Sequence, residues 1–201
     1  MNNSSRSNFL LLGAGGLMTR TVSRRLLELG ARPRAVIQSG AAPATLSSLP
    51  GLELEVPRKD WRQAMHAQGI ESRYEAEIGD LSACLHRYRA DYLLVACWPR
   101  RLPEPVLDSV RIDAINIHPS LLPAYPGFDP VGDMLRDGHR DFGVTLHRMT
   151  QRIDAGPVLK QERLDLPADA TREAIETAAA RRGAELFVEI LHHPPALAIR
   201  R

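Results

Sequence analysis

The 201-residue sequence is poor in lysine and has no long apolar run. Lys59 and Lys160 are the only lysines, so the basic charge is almost all arginine, and the net charge is +2. The arginines are scattered without forming a stripe, which argues against nucleic acid as the main ligand. The apolar run at residues 9–13 is too short for a signal peptide or a membrane span. We therefore expect a soluble cytoplasmic protein without a membrane partner.

Cysteine is also scarce, and no covalent nucleophile can be recognised. Cys84 and Cys97 have no metal-ligand spacing, so no metal site is expected and buried, reduced thiols are the simplest interpretation. The GxSxG serine motif is missing, and neither cysteine has an evident base nearby. Any catalysis is therefore expected to be non-covalent.

Short apolar strands alternate with amphipathic helices along the chain. This order predicts an α/β fold: a Rossmann-like open, mostly parallel twisted sheet with helices on both faces. Residues 1–201 are expected to form a single domain, with frayed ends at residues 1–7 and 194–201. Strands are predicted at residues 9–12, 34–38, 52–56, 91–97, 110–117, 142–149 and 157–166, and helices at 17–29, 60–68, 77–89, 105–109, 129–137 and 171–191.

A glycine-rich turn, GAGGLM at residues 13–18, joins the first strand to the first helix. The turn lacks the third glycine of GxGxxG at its proper place, and no acidic residue follows the second strand. A dinucleotide site is therefore disfavoured. The remaining interpretation is that backbone amides at the helix start receive an anionic group of a substrate.

The stretch AINIHPSLLP, residues 114–123, ends a predicted strand in a proline-rich loop. Asn116 and His118 are two residues apart, so they share one face at the carboxyl end of this strand. The loop Trp98–Pro103 ends the preceding strand at the same edge of the sheet. We expect a cleft there, walled by Trp98, Leu102 and the Leu121–Leu122 pair. The alternative for His118 is a hydrogen-bonded structural role.

A third polar group, Asp154, lies in the glycine-containing loop at residues 151–156. If this loop folds over the cleft, an amide, an imidazole and a carboxylate meet. Asn116 could then stabilise a developing oxyanion in a tetrahedral intermediate, and His118 could move the proton. Asp154 could orient the ring, although an Asx turn within its own loop is the alternative.

Three motifs in this region resemble a known family. They are INIHPSLLP at residues 115–123, YPG at 125–127 and GVTLHRMTQRIDAGPVL at 143–159. Together with the glycine-ended first strand they resemble the formyltransferases that use 10-formyltetrahydrofolate, such as glycinamide ribonucleotide formyltransferase and the N-terminal domain of methionyl-tRNA formyltransferase. The resemblance implies that the chain is an enzyme with this formyl donor as cosubstrate.

The resemblance also assigns residues to roles. It places the catalytic triad on Asn116, His118 and Asp154. It places the donor site on Trp98, Pro99, Arg100, Leu102, Ile153, Ala155 and Gly156, and the substrate site on Gly13, Gly15, Gly16 and Gly127.

The sequence departs from the family pattern near the acceptor. Gly16 and Leu17 stand where the ribonucleotide enzyme has serine and asparagine, and Pro126 stands where many members have a basic residue. The C-terminal barrel of the tRNA enzymes and the N-terminal regulatory domain of the hydrolases are not recognised either. We therefore expect an N-formyltransferase for a small-molecule amine. A 10-formyltetrahydrofolate hydrolase and an inactive folate-binding homologue are the alternatives, and a homodimer through residues 52–56 or the last helix stays open.

Overall fold

The computed structural model describes residues 8–40 and 64–194. Residues 64–67, within the helix predicted at 60–68, are helical. Seven strands and six further helices with full bounds follow one another in the described residues. They are β1 (Phe9–Gly13), α1 (Leu17–Glu28), β2 (Ala35–Gln38), β3 (Glu71–Tyr74), α2 (Glu75–Ile78), α3 (Leu81–Tyr88), β4 (Tyr92–Ala96), α4 (Glu104–Asp108), β5 (Asp113–His118), α5 (Pro130–Arg136), β6 (Gly143–Arg148), β7 (Val158–Arg163) and α6 (Arg172–His192).

The strands form one sheet in the order β3-β2-β1-β4-β5-β6-β7. The first five strands in this order are parallel, and β6 and β7 are added antiparallel. Every residue of β1 and β4 is buried, as expected for central parallel strands covered on both faces. The predicted α/β fold is confirmed.

Helices cover both faces of the sheet. On one face α1 and α6 pack together, and Phe187 of α6 contacts the ring edges of Phe9 and Tyr92 at centroid distances of 5.1 and 6.1 Å. On the other face, Leu85 of α3 and Leu107 of α4 belong to the apolar cluster beneath β1 and β4. The apolar side of α6, one of the two proposed dimer surfaces, is therefore used within the chain.

α6 lies very close to β5 because Gly183 has no side chain. A Cβ atom at this position would be 2.5 Å from Cγ2 of Ile117. This approach brings the first turn of α6 to the edge of the sheet where β5 ends.

Some predicted elements differ from the structure. Strand β3 was not predicted, and the helix expected at residues 77–89 is two helices. The helix is interrupted at Gly79, whose φ is +68°. The Asp80 side chain then caps α3 by accepting from the Ser82 amide at 2.8 Å. The strand predicted at 52–56 lies outside the described residues. Within those that are described, no helix combines the length and the apolar character that crossing a bilayer requires.

Candidate active site

A cleft of about 510 Å³ opens at the carboxyl ends of β1, β4 and β5. This is the edge at which open α/β sheets bind ligands, because the loops that follow parallel strands all emerge there. Three further segments complete the walls: residues 127–131, residues 149–154 and the first turns of α6. The predicted residues Asn116, His118 and Asp154 all line this cleft.

His118 is held by the proline-rich loop that follows it. The imidazole is 3% exposed, and its Nε2 lies 2.8 Å from the carbonyl oxygen of Tyr125. Ser120 and Thr145 fix this loop in turn. The Ser120 hydroxyl donates to the Ala124 carbonyl at 2.7 Å, and the Thr145 hydroxyl donates to the Ser120 carbonyl at 2.7 Å. Because Nε2 faces a carbonyl, the neutral ring carries its proton there and leaves Nδ1 free to accept one.

Asp154 reaches His118 because its loop folds over the cleft. Its Oδ2 lies 3.5 Å from Nδ1 of His118 and accepts from the Gly127 amide at 2.8 Å. The loop closes at Gly156, where a Cβ atom would lie 1.8 Å from the Arg148 carbonyl oxygen, so only glycine fits. The carboxylate therefore joins two loops instead of forming an Asx turn within its own.

A fourth polar group, His147, completes the cluster and was not singled out from the sequence. His147 pairs with Asn116 across the antiparallel strands β5 and β6, and its Nε2 lies 3.1 Å from Nδ2 of Asn116. The same nitrogen lies 3.3 Å from Oδ1 of Asp154. The sequence does contain a signal for His147. Alternation in the strand predicted at residues 142–149 places it on the same face as Thr145, whose hydroxyl bonds to the loop after β5.

Burial and the neighbouring polar groups together set the protonation of the cluster. It lowers the pKa of His118 below its ordinary value, although Asp154 and the Tyr125 carbonyl act in the opposite direction. Burial acts to raise the pKa of Asp154, but His147, His118 and the Gly127 amide together outweigh it, and the net pKa is lowered. Near neutral pH the cluster therefore holds a neutral His118 beside an ionised Asp154.

The residues assigned to the donor site are only partly brought together. Trp98, Pro99, Arg100, Leu102 and Ile153 line the cleft, whereas Ala155 and Gly156 do not. Trp98 is 7% exposed, and the guanidinium of Arg100 lies 5.5 Å from its ring centroid. Arg100 also forms an ion pair with Glu75. This wall combines a largely buried indole ring with a cation that lies over it.

The predicted Leu121–Leu122 wall is wrong, because neither leucine lines the cleft. The Leu121 side chain occupies the space beside Gly143, where a Cβ atom would meet it at 2.3 Å, and Leu122 is 7% exposed. Gly127 and Phe128 line the cleft from this loop instead.

The glycine turn after β1 contributes less than expected. Gly16 lines the cleft, as does Leu17, but Gly13 and Gly15 do not. At Gly13 a Cβ atom would lie 2.2 Å from Oγ1 of Thr19, and Gly15 has a φ of +77°. These two glycines shape the turn. Cys97 also lines the cleft and is exposed, contrary to the expectation of a buried thiol, while Cys84 is half-buried.

Sequence comparison decides the family. The family model described as formyl transferase matches residues 46–191, well over half of the chain. The chain belongs to this family. A curated relative, methionyl-tRNA formyltransferase from Nitratidesulfovibrio vulgaris (strain DP4), is 35% identical over 124 residues. This match covers 62% of the chain but only 36% of the relative's length, so the chain spans about a third of that enzyme.

Solved structures of formyl transferases share the fold. The phosphoribosylglycinamide formyltransferase from Streptococcus pneumoniae TIGR4 aligns with a TM-score of 0.69 and 18% identity, covering 92% of this chain and 97% of that one. A formyltetrahydrofolate deformylase from Pseudomonas syringae pv. tomato aligns with a TM-score of 0.65 and 18% identity, over 92% of this chain and 63% of that one. Both likenesses concern the fold alone.

Proposed function

We propose that the chain transfers a formyl group from 10-formyltetrahydrofolate to a small-molecule amine, without a covalent enzyme intermediate. The observation that carries this proposal is the meeting of Asn116, His118 and Asp154 in one cleft, with a carboxylate oxygen 3.5 Å from the free imidazole nitrogen. Membership of the formyl transferase family supports the reaction class.

Asn116 is the proposed donor to the formyl oxygen. The acceptor nitrogen bonds to the formyl carbon, and negative charge develops on that oxygen before the bond to the leaving nitrogen breaks. The side-chain amide lies at the end of β5, held by Nε2 of His147 at 3.1 Å. A fixed amide donor aimed at a developing oxyanion contributes a few kcal/mol to transition-state stabilisation.

His118 is the proposed proton carrier. The reaction takes one proton from the attacking amine and gives one to the leaving nitrogen, so a single base that becomes an acid suffices. The lowered pKa of His118 keeps the ring neutral and able to accept at the start. Asp154, ionised and 3.5 Å from Nδ1, then stabilises the imidazolium that forms.

The cleft fits the proposed donor. Its volume of about 510 Å³ lies within the usual range for small-molecule sites. Trp98, Leu102 and Ile153 supply an apolar wall for a flat heteroaromatic ring, and Arg100 supplies a cation beside it. These residues would bind and orient the donor, which supplies the activated formyl group.

The test uses the purified full-length chain with 10-formyltetrahydrofolate and a mixture of small amines, with methionyl-tRNA as a separate arm. Mass spectrometry would detect a formyl mass gain on the acceptor. We expect His118→Ala and Asp154→Ala each to lower kcat by roughly 10²- to 10⁴-fold while donor binding persists. The exposed His86 gives a matched control, His86→Ala, which should retain full activity.

The outcomes separate the alternatives. Full activity in either site variant contradicts the mechanism. Formate release that no amine accelerates indicates a hydrolase. Formylation of methionyl-tRNA alone contradicts the small-molecule acceptor, and donor binding without any turnover indicates an inactive folate-binding homologue.

A further inference from the structure

The cleft extends to both faces of the sheet edge. Trp98 and Leu102 belong to the apolar cluster on the face covered by α3 and α4. Met18 lines the cleft from the opposite face, which α1 and α6 cover. The groups on that second side have no part in the catalysis or donor binding proposed above.

Three charged side chains form a cluster on this second side. Arg172, in the first turn of α6, donates to both carboxylate oxygens of Asp129, at 2.5 and 3.3 Å. Its Nε donates to Oε1 of Glu176 at 2.7 Å. All three residues line the cleft, and we call them the Arg172 cluster.

The Arg172 cluster has a net charge of −1, because one guanidinium faces two carboxylates. Both sides of the guanidinium fork are engaged, so it presents no unpaired edge to an anion. Cys97, beside the cluster, adds no charge at neutral pH, because partial desolvation in the cleft and the neighbouring Glu176 carboxylate raise the pKa of its thiol. Gly16 and Leu17 contribute no polar side chain to this side of the cleft.

We propose that the Arg172 cluster selects the acceptor, favouring an amine that carries a second positively charged group and disfavouring one that carries a phosphate. This inference rests on the proposed function, because it assigns the second side of the same cleft to the acceptor. The carboxylates of Glu176 and Asp129 would pair with the second ammonium of a diamine, while the net charge of −1 would disfavour a phosphate.

The position of Arg172 supports a binding role for its two partners. A cation in the first turn of a helix opposes the helix dipole, so this arginine does not stabilise α6 by itself. Its pairing holds Glu176, which is 19% exposed, and Asp129, which is 45% exposed, in fixed positions on the wall. Glu176 is the better probe, because Asp129 also caps α5 by accepting from the Gly132 amide.

The test compares acceptors that differ only in their second group. Formyl transfer to 1,4-diaminobutane, butylamine and phosphoethanolamine is measured as kcat/KM with the full-length chain. We expect the diamine to exceed phosphoethanolamine by at least tenfold in the wild type. Glu176→Gln should lower this ratio at least fivefold, mainly through KM of the diamine. Glu173→Gln is the matched control on the same helix, since Glu173 is exposed and outside the cleft, and it should leave the ratio unchanged.

A ratio between two acceptors on one enzyme is insensitive to the fraction of folded protein. A wild-type preference for phosphoethanolamine, or a ratio that Glu176→Gln does not change, overturns the proposal. Turnover with methionyl-tRNA or water but with none of the three amines also overturns it, while leaving the donor chemistry intact. If calorimetry detects no binding of 10-formyltetrahydrofolate, the proposed function itself fails.

Discussion

Asn116 and His147 lie directly opposite each other on β5 and β6, with the amide nitrogen of one 3.1 Å from Nε2 of the other. Nδ1 of His147 lies 3.0 Å from the Arg148 carbonyl oxygen, and its Nε2 also lies 3.3 Å from Oδ1 of Asp154. These contacts fix the imidazole ring, and the ring in turn fixes the position of the Asn116 amide. This geometry makes His147 a positioning residue for the proposed oxyanion donor.

Replacing His147 should reduce catalysis through Asn116. We expect His147→Ala to lower kcat by about 10- to 100-fold with little change in KM, because the amide loses its orientation while the binding walls remain. Steady-state kinetics with any accepted amine would measure this, beside His86→Ala as the matched control. An unchanged kcat would contradict the role of His147, and a pure KM effect would indicate substrate binding instead.

The lowered pKa of His118 predicts the acid side of the pH profile. The neutral imidazole is the active form, so kcat/KM, divided by the fraction of acceptor amine that is unprotonated at each pH, should decline with a midpoint below pH 6.5. The Asp154 charge acts to raise this pKa, so Asp154→Asn should move the residual decline to lower pH. A decline of this corrected kcat/KM centred above pH 6.5 would contradict the assignment of His118 as the base.

The same pKa shift predicts a loss of stability in acid. Below about pH 6.5 the unfolded chain binds a proton at His118 that the folded chain resists, so the free energy of unfolding falls as pH falls towards the folded pKa. Urea unfolding between pH 7 and pH 5 would measure this dependence. The His118→Gln variant should show a weaker dependence, and an equal dependence would exclude His118 as its source.

Trp98 offers a test of how the donor wall binds. Its Nε1 is buried and has no hydrogen-bond partner among residues 8–40 and 64–194. Trp98→Phe should therefore retain stability within about 1 kcal/mol and bind 10-formyltetrahydrofolate nearly as well, because it keeps an aromatic surface. Trp98→Ala should cost about 3–5 kcal/mol and weaken donor binding at least tenfold. Calorimetric loss of binding in the Phe variant would show that the indole N–H binds the donor.

Gly183 tests the close packing of α6 on β5. Helix propensity alone would make Gly183→Ala stabilising by about 1 kcal/mol. The added methyl would lie 2.5 Å from Cγ2 of Ile117, so overpacking should instead cost about 1–3 kcal/mol. Chemical unfolding would show whether Gly183→Ala raises or lowers the free energy of unfolding. Ala178→Gly in the same helix would measure the contribution of helix propensity alone. A stabilised Gly183→Ala variant would contradict the close approach.

The amino-acid sequence by itself determined the fold class and the elements that place Asn116 and His118. Alternating side-chain directions in β5 fix the shared face of these two residues, and the motif around Asp154 marked its loop. Both are local properties, which a pattern can report.

Only the tertiary structure decided how the separate segments meet. The antiparallel pairing of β5 and β6 brings His147 to Asn116, and the packing of α6 brings Arg172 and Glu176 to Asp129. The tertiary structure also places Gly13 and Gly15 in the turn after β1 and not on the cleft wall, and it directs the Leu121 side chain towards Gly143. These contacts join residues distant in the chain, and their geometry depends on how whole strands and helices pack, which no single motif contains.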